Sequence, residues 1–450
     1  MGDLIPVLTP LRSNRNVSPW KAAQQEEIRQ SMTIEATRMP AQVRALNAGY
    51  QGARKIGRTP LRLRKYQLMD RASRKAGGLT DFGDPRFEAG LDQLIASIED
   101  EDRLNGLGRV IASGHITNLL TQRLLITAHL AAHPEIHDER IERPIFIIGG
   151  PRTGTTISHH LMSQDQQFRF PYTWESKELH PPLKPTTMET DGRVARAQKN
   201  LDRMLKLAPD LDAAHPVGAR EAEECAVLHA YDFHSSTFMA MFNCQGYDRW
   251  LVEQDVTWVY EQQKLMLKYM QSGGLRPSEC WLLKTPPHME NIDRILVVFP
   301  DARFVTTYRE PTELTASFCS LLRSLIQVVE DKPDWHDHGR YVTWRVGHML
   351  DRNVELRRRY ADRTNQFIDF PMHRMVRDPL TCVAEIYKHF ELDLNDQARA
   401  RMQTFMDARS MATRKPHVYD PADYGIDMAA LWPRFQQYRD FYCIDEELPA

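Results

Sequence analysis

The sequence predicts an α/β fold, a parallel β-sheet flanked by helices with a helical cap before it, on three observations. Short continuous apolar runs alternate with helix-period segments from residue 144 to residue 390. The first run, PIFII, leads straight into a Gly-rich turn and a helix start, GGPRTGTTISHHLM. Basic side chains then recur where later apolar runs end, as in WLLKT and ARFVTTYR. Ligands of such sheets bind beyond the carboxyl ends of the strands, so these ends are the places to look for a site.

The chain has 450 residues, enough for two or three domains or one enlarged α/β domain. Residues 1–83 read as an arm, 84–142 as a helical cap, and 143–450 as the α/β domain with a helical, substrate-side insertion at about 190–272. A net charge of −2 gives no global reason to expect nucleic acid. No apolar stretch approaches the roughly 18 residues of a membrane span, and Asp3 interrupts any signal-like start. Six scattered cysteines without a C-x-x-C pair argue against zinc or a disulfide framework and suit a cytoplasmic protein.

Taken in order, the arm contains GARKIGRTPLRLRKYQLMDRASRK, with nine Lys or Arg against one acid, Asp70. It reads either as a solvated, partly helical arm laid over its own domain or as a contact for an anionic membrane surface, nucleic acid or an acidic partner. Next, DPRFEAGLDQLIASIEDE predicts a helix with Asp84 as N-cap, Pro85 at its first position, and Leu91, Leu94, Ile95 and Ile98 on one face. NLLTQRLLITAHLAAHP predicts a second apolar helix ending near Pro134. Strands are expected at PIFII, FRFPYT (168–173), WLLKT (281–285), ARFVTTYR (302–309) and QFIDF (366–370). Helices are expected at TTISHHLM, across 190–272, and at HMENIDRILVVF, PTELTASFCSLLRSL and PLTCVAEIYKHF.

GGPRTGTT almost spells the nucleotide-triphosphate loop G-x-x-x-x-G-K-[ST], but Thr155 stands where the lysine belongs. A strand, glycines and a helix start still make an anion trap, since turn amides converge and the helix dipole favours negative charge. Thr153, Thr155 and Thr156 add hydroxyls and Arg152 adds a cation. Asp369 is the only strand-end acid suited to hold magnesium, so no metal is expected. Downstream, Arg309 at a strand end and Ser317 eight residues later outline a second phosphate pocket, and Lys284 ends another strand. Two phosphate pockets and a strand-end lysine suit a nucleotide with phosphates on both sides of its ribose.

PIFIIGGPRTGTT, TWESKE, LLKTPPHMENIDRILVVFPDARFVTTYREPTELTASF and KPHVYDPADYGID together resemble sulfotransferases that use 3′-phosphoadenosine 5′-phosphosulfate, in their bacterial-type branch. The likeness runs over about residues 84–441. It implies that Arg152, Thr153, Gly154, Thr155 and Thr156 hold the 5′-phosphosulfate. Arg309 and Ser317 would hold the 3′-phosphate, with Lys415 and Tyr419 as further contacts. Sulfuryl transfer needs a base for the acceptor hydroxyl and a cation for the departing phosphate, the latter role fitting Lys284 or Arg152. Glu175 and His288 are the two base candidates by position. The segment AHPVGAREAEECAVLHAYDFHSSTFMAMF brings His215 and the acids Glu221, Glu223 and Glu224 together as an acceptor wall or alternative base. Its Phe233 and Phe238 suggest either core or an apolar acceptor pocket. His336 and His338 in DWHDHGR lack a third ligand nearby. The partner is then a small hydroxyl-bearing molecule. The alternatives are an ATP-dependent kinase on the same loop or a nucleotide-binding protein without turnover.

Overall fold

A computed structural model describes residues 39–209, 211, 218–408 and 419–444. By its contacts the chain divides into Met1–Ala45 and Leu46–Ala450. Helix α1 (Ala41–Lys55) is followed by α2 (Lys65–Lys75), α3 (Phe87–Glu101) and α4 (Gly106–Ala132). The predicted start of α3 shifts by two residues: Asp84 accepts the Arg86 amide at 2.9 Å and the helix begins at Phe87. Helix α4 starts earlier than its apolar run suggests, because Asn105 caps it through the Gly108 amide.

These helices do not float over the sheet as a separate lid; they are bolted to the insertion. Arg123 on α4, almost fully buried, pairs with Asp232 at 2.5 Å and also donates to the carbonyls of Phe82, Asp84 and Tyr231. Gly90 on α3 lies so close to the insertion that a Cβ there would sit 2.1 Å from the Phe233 carbonyl oxygen. Glu101, at the end of α3, accepts the amides of Gln245 and Gly246.

The sheet has five parallel strands in the order β2-β3-β1-β4-β5: β1 (Ile145–Gly149), β2 (Phe168–Arg169), β3 (Cys280–Lys284), β4 (Arg303–Tyr308) and β5 (Phe367–Pro371). All five apolar runs become strands, although FRFPYT pairs over two residues only. After β1 comes α5 (Thr155–Met162), and after β2 the short α6 (Thr173–Lys177). The 190–272 region is broken into Gly192–Leu207, Ala226–His229, Thr237–Phe242, Gln245–Leu251 and Thr257–Ser272 rather than one long helix. Beyond β4 run α7 (Pro311–Val329) and α8 (Trp335–Arg359), and near the C-terminal end α9 (Gln436–Tyr442). Helix α8 carries Tyr341, Val342, Val346, Met349 and Leu350 on its buried face and is capped by Asp334.

One sheet face buries Ile145, Ile147, Leu282, Val305 and Phe370 against Leu161, Met162, Val383 and Ile386. The other stacks Phe146 on Phe304 and Phe304 on Phe367. The C-terminal end is fastened at β4's exit. Fully buried Arg439 of α9 grips Glu310 at 2.7 and 2.9 Å, while Glu310 also caps α7 through the Thr312 amide at 3.0 Å. Burial alone would raise the Glu310 pKa, but Arg439 and Thr312 outweigh it and hold the carboxyl below its ordinary range.

Removing the arginine leaves a charged carboxylate without its partner inside the protein. Arg439→Ala is therefore expected to cost about 3–5 kcal/mol of unfolding free energy in a urea titration. A loss below roughly 1 kcal/mol would mean that the pair is merely tolerated.

Candidate active site

Parallel strands deliver their carboxyl ends to one edge of a sheet. Ile147 of β1 pairs with Lys284 of β3, and Gly149 pairs with Thr307 of β4, so the glycine loop, Lys284 and Arg309 issue from one edge. Gly149 (φ 149°), Arg152 (φ 65°) and Gly154 (φ 94°) adopt positive φ, curling the turn ahead of α5. Arg152 accepts a conformation that side-chain-bearing residues rarely adopt, which costs on the order of 1–3 kcal/mol.

The loop is braced from below. Thr153, fully buried, donates to the Gly150 carbonyl at 2.7 Å and meets the Thr307 hydroxyl at 2.9 Å. Its hydroxyl is thus engaged in holding the turn. Thr155 is buried and Thr156 half-buried, at the first turn of α5 where backbone amides lack helical partners.

Arg152 Nε donates to Ser317 Oγ at 3.2 Å, joining the loop to α7. Arg309 reaches back to the Arg152 carbonyl at 3.4 Å and pairs with Glu313 at 2.6 Å. Its Nε is buried with no hydrogen-bond partner among the described residues. A guanidinium N–H left unpaired beside the glycine turn is able to donate to an anion. Tyr419 approaches the same helix start, its hydroxyl 3.4 Å from the Glu313 carbonyl. Lys415 and His215 lie outside the described residues.

On the other side of β1, Lys284 is nearly fully buried and donates to Glu224 Oε1 at 2.6 Å. Thr285 donates to Glu224 Oε2 at 3.0 Å. The acid arrives on a strap, residues 219–225, that is held by main-chain bonds across the sheet edge. Trp174 N–H donates to Ala219, Thr173 N–H to Glu221, Glu223 N–H to Pro171 and Cys225 N–H to the Lys284 carbonyl, all at 2.8–3.0 Å. Glu221 neighbours His160 of α5 at 3.5 Å, and Glu223 neighbours Lys177 at 3.7 Å.

Both expected bases are otherwise occupied. Glu175 is 1 % exposed and its two oxygens accept one Arg169 nitrogen at 2.5 and 2.6 Å, with Arg169 lying against the Trp281 and Tyr172 rings. The carboxylate is the counter-charge of a buried arginine, and Lys284 at the end of β3 pairs instead with Glu224. His288 lies in a tight turn, Pro286–Glu290, on the aromatic face of the sheet. Its ring is edge-on to Phe146 at 5.0 Å and its Nδ1 lies 3.0 Å from the Tyr260 hydroxyl. Burial, with smaller contributions from His229 and Lys284, holds its pKa well below the ordinary value, so it is a neutral core imidazole.

Phe233 and Phe238 are fully buried and stack at 5.9 Å, with Phe87 of α3 against the former and Tyr247 against the latter. They belong to the packing between insertion and cap, and the acceptor-pocket expectation gives way to core. Asp369, the one strand-end acid suited to magnesium, accepts both Arg357 nitrogens at 2.6 and 2.9 Å. Among the described residues no three His, Cys, Asp or Glu side chains are grouped to hold a metal ion. Glu224 was visible in sequence as one of a cluster of acids. Only the pairing of its strap with β3 singles it out.

A parallel sheet whose central strand ends in this turn, with a lysine and an arginine issuing from its neighbours, defines a P-loop-like α/β protein. The family model described as "Sulfotransferase family" matches residues 144–396, and the chain belongs to that family. Two solved structures are similar over most of their length. Sulfotransferase STF9 from Mycobacterium avium gives a TM-score of 0.75 at 29 % identity, covering 84 % of this chain and 96 % of that one. Sulfotransferase STF1 from Mycobacterium tuberculosis H37Rv gives 0.73 at 29 % identity, covering 83 % and 98 %. The omega-hydroxy-beta-dihydromenaquinone-9 sulfotransferase Stf3 of Mycobacterium tuberculosis, like that of Mycobacterium bovis, is 25 % identical over 254 residues, 55 % of this chain. The chain spans 63 % of the length of those curated relatives.

A Cβ on Gly149 would lie 2.3 Å from the Thr307 carbonyl and 2.8 Å from the Thr153 and Thr307 hydroxyls, two of three contacts through the brace itself. Gly149→Ala is expected to lower the thermal midpoint by several degrees, in line with roughly 1–3 kcal/mol of overpacking and strain. An unchanged midpoint would show that the loop and β4 can part without loss.

Proposed function

We propose that this chain transfers a sulfuryl group from 3′-phosphoadenosine 5′-phosphosulfate to a hydroxyl of a small apolar or aromatic acceptor, with Glu224 as the base. The observation that carries this reading is the Lys284–Glu224–Thr285 arrangement at the same sheet edge as the glycine loop. The donor, when bound, supplies the sulfuryl group and a phosphate leaving group. Arg152, Thr153, Gly154, Thr155 and Thr156 are assigned to its 5′ side, Arg309 and Ser317 to its 3′-phosphate. The unpartnered Arg309 Nε, and a turn whose first glycine admits no Cβ, support that fit.

Within this arrangement Glu224 takes the acceptor's hydroxyl proton as the oxygen attacks sulfur. Lys284 Nζ, which donates to this carboxylate at 2.6 Å, donates to the oxygen that gains charge as the sulfur–phosphate bridge breaks. A lysine suits this task because its point charge can swing between two oxygens, whereas a guanidinium fork holds a fixed geometry. Glu175 then serves as the partner of Arg169 and His288 as core. An apolar acceptor is supported by the relative whose name specifies a hydroxylated menaquinone. The kinase alternative is disfavoured by Thr155 in the lysine position and by the engagement of Asp369 with Arg357.

Three measurements check the proposal. Adenosine 3′,5′-bisphosphate is expected to raise the thermal midpoint where ATP with magnesium does not; the reverse pattern would sink the donor assignment. Arg309→Ala is expected to weaken bisphosphate binding by roughly 10- to 100-fold, the worth of charge-assisted hydrogen bonds. Glu224→Gln is expected to slow single-turnover sulfate transfer by about 10²–10⁴-fold with bisphosphate affinity unchanged. Glu175→Gln should instead reduce stability, since Arg169 loses its counter-charge. Were Glu175→Gln to stay folded and lose the rate while Glu224→Gln kept it, the base assignment would be inverted.

A further inference from the structure

The connection between α1 and α2, residues 56–64, concentrates exposed apolar and cationic side chains. Among the described residues seven large apolar or aromatic side chains are exposed, and four of them lie within residues 46–66: Leu46, Ile56, Leu61 and Tyr66. Ile56 is 70 % exposed and Leu61 42 %. From residue 54 to residue 69 there are six Lys or Arg and no acid.

The cations fall into two groups. Arg54 pairs with Asp102, Arg62 with Glu99 and Lys65 with Glu88 and Asp92, fastening both ends of the loop to the helix α3 region. Lys55, Arg58 and Arg64 are exposed and make no ion pair with a described residue. Leu63 is buried, and its amide donates to Glu99 at 3.0 Å, so the loop has a fixed root beneath an outward-facing tip. Leu61 itself has φ 62°, a conformation a leucine seldom holds. The backbone is bent against preference, and the side chain it carries is left in solvent.

We propose that this loop docks the protein on an anionic bilayer surface, with Ile56 and Leu61 entering the interface and Lys55, Arg58 and Arg64 at the level of the lipid phosphates. Cations near an anionic leaflet and apolar side chains below them are the two components of interfacial binding. Nucleic acid would engage the cations but leave Ile56 and Leu61 with nothing to bury them. The proposal does not depend on the identity of the acceptor or the base.

The test is co-sedimentation of the full chain with vesicles of phosphatidylcholine alone or mixed with phosphatidylserine, at low and high salt. Mixed vesicles are expected to bind more tightly, by about fivefold for each engaged cation at low salt. Ile56→Glu/Leu61→Glu should bind them at least roughly tenfold more weakly. Arg58→Glu/Arg64→Glu should lose the salt dependence. All four positions are exposed, so thermal midpoints and the bisphosphate-induced shift are expected to stay at wild-type values, which separates this outcome from misfolding. Equal binding of both vesicle types by the wild type would overturn the proposal. So would retention on duplex DNA in place of vesicles, or a dimer in light scattering that Ile56→Glu/Leu61→Glu dissociates.

Discussion

The site depends on how closely the end of β1 approaches β4. Gly149 stands where any side chain would strike the Thr307 carbonyl, and the Thr153–Thr307 hydroxyl contact fills the remaining space. That approach sets the curl of the turn. It also fixes how far Arg152 sits from Ser317 and where Arg309 can reach the Arg152 carbonyl. Arg152 and Arg309, which follow different strands, therefore share one geometric origin, and neither could be tuned independently of the other.

Charge in the interior is handled in pairs: buried arginines meet acids, several of them from distant segments. Arg169 takes Glu175, Arg123 takes Asp232, Arg345 takes Asp248 and Glu290, and Arg439 takes Glu310. Such pairs gain little net stability over apolar packing, but breaking one leaves an uncompensated charge. They act as selective fasteners between sheet, insertion and C-terminal helix. Arg309, less buried, meets Glu313 one turn along α7 and keeps its Nε without a hydrogen-bond partner among the described residues.

Strands and the glycine loop were legible in the sequence because they depend on local chemistry. A run such as PIFII can only be buried on both faces, and GGPRTGTT needs glycine where φ is positive. Lys284 and Arg309 were legible as strand-end cations for the same reason. What could not be read was pairing at long range. Glu175 and Glu224 both precede or follow helix starts, and nothing local says which meets an arginine in the core and which meets a lysine at the edge. His288 shares this fate, since its two prolines fix a tight turn but not the sheet face on which it lands. Phe233 and Phe238 fit core and pocket equally well until α3 is seen against them.

The strap of residues 219–225 has one more implication. Its main-chain bonds to residues 171–174 and 284 do not depend on which side chains it carries, while Glu224 adds a carboxylate that meets Lys284 and Thr285. The glycine loop across the sheet edge, by contrast, is set by Gly149, where a Cβ would strike Thr307, and by the Thr153–Thr307 contact. The edge thus has one half fixed by its side chains and glycines and another held largely by its main chain. Substitutions in the seven-residue ribbon away from Glu224 can reshape that wall while the glycine loop is left untouched.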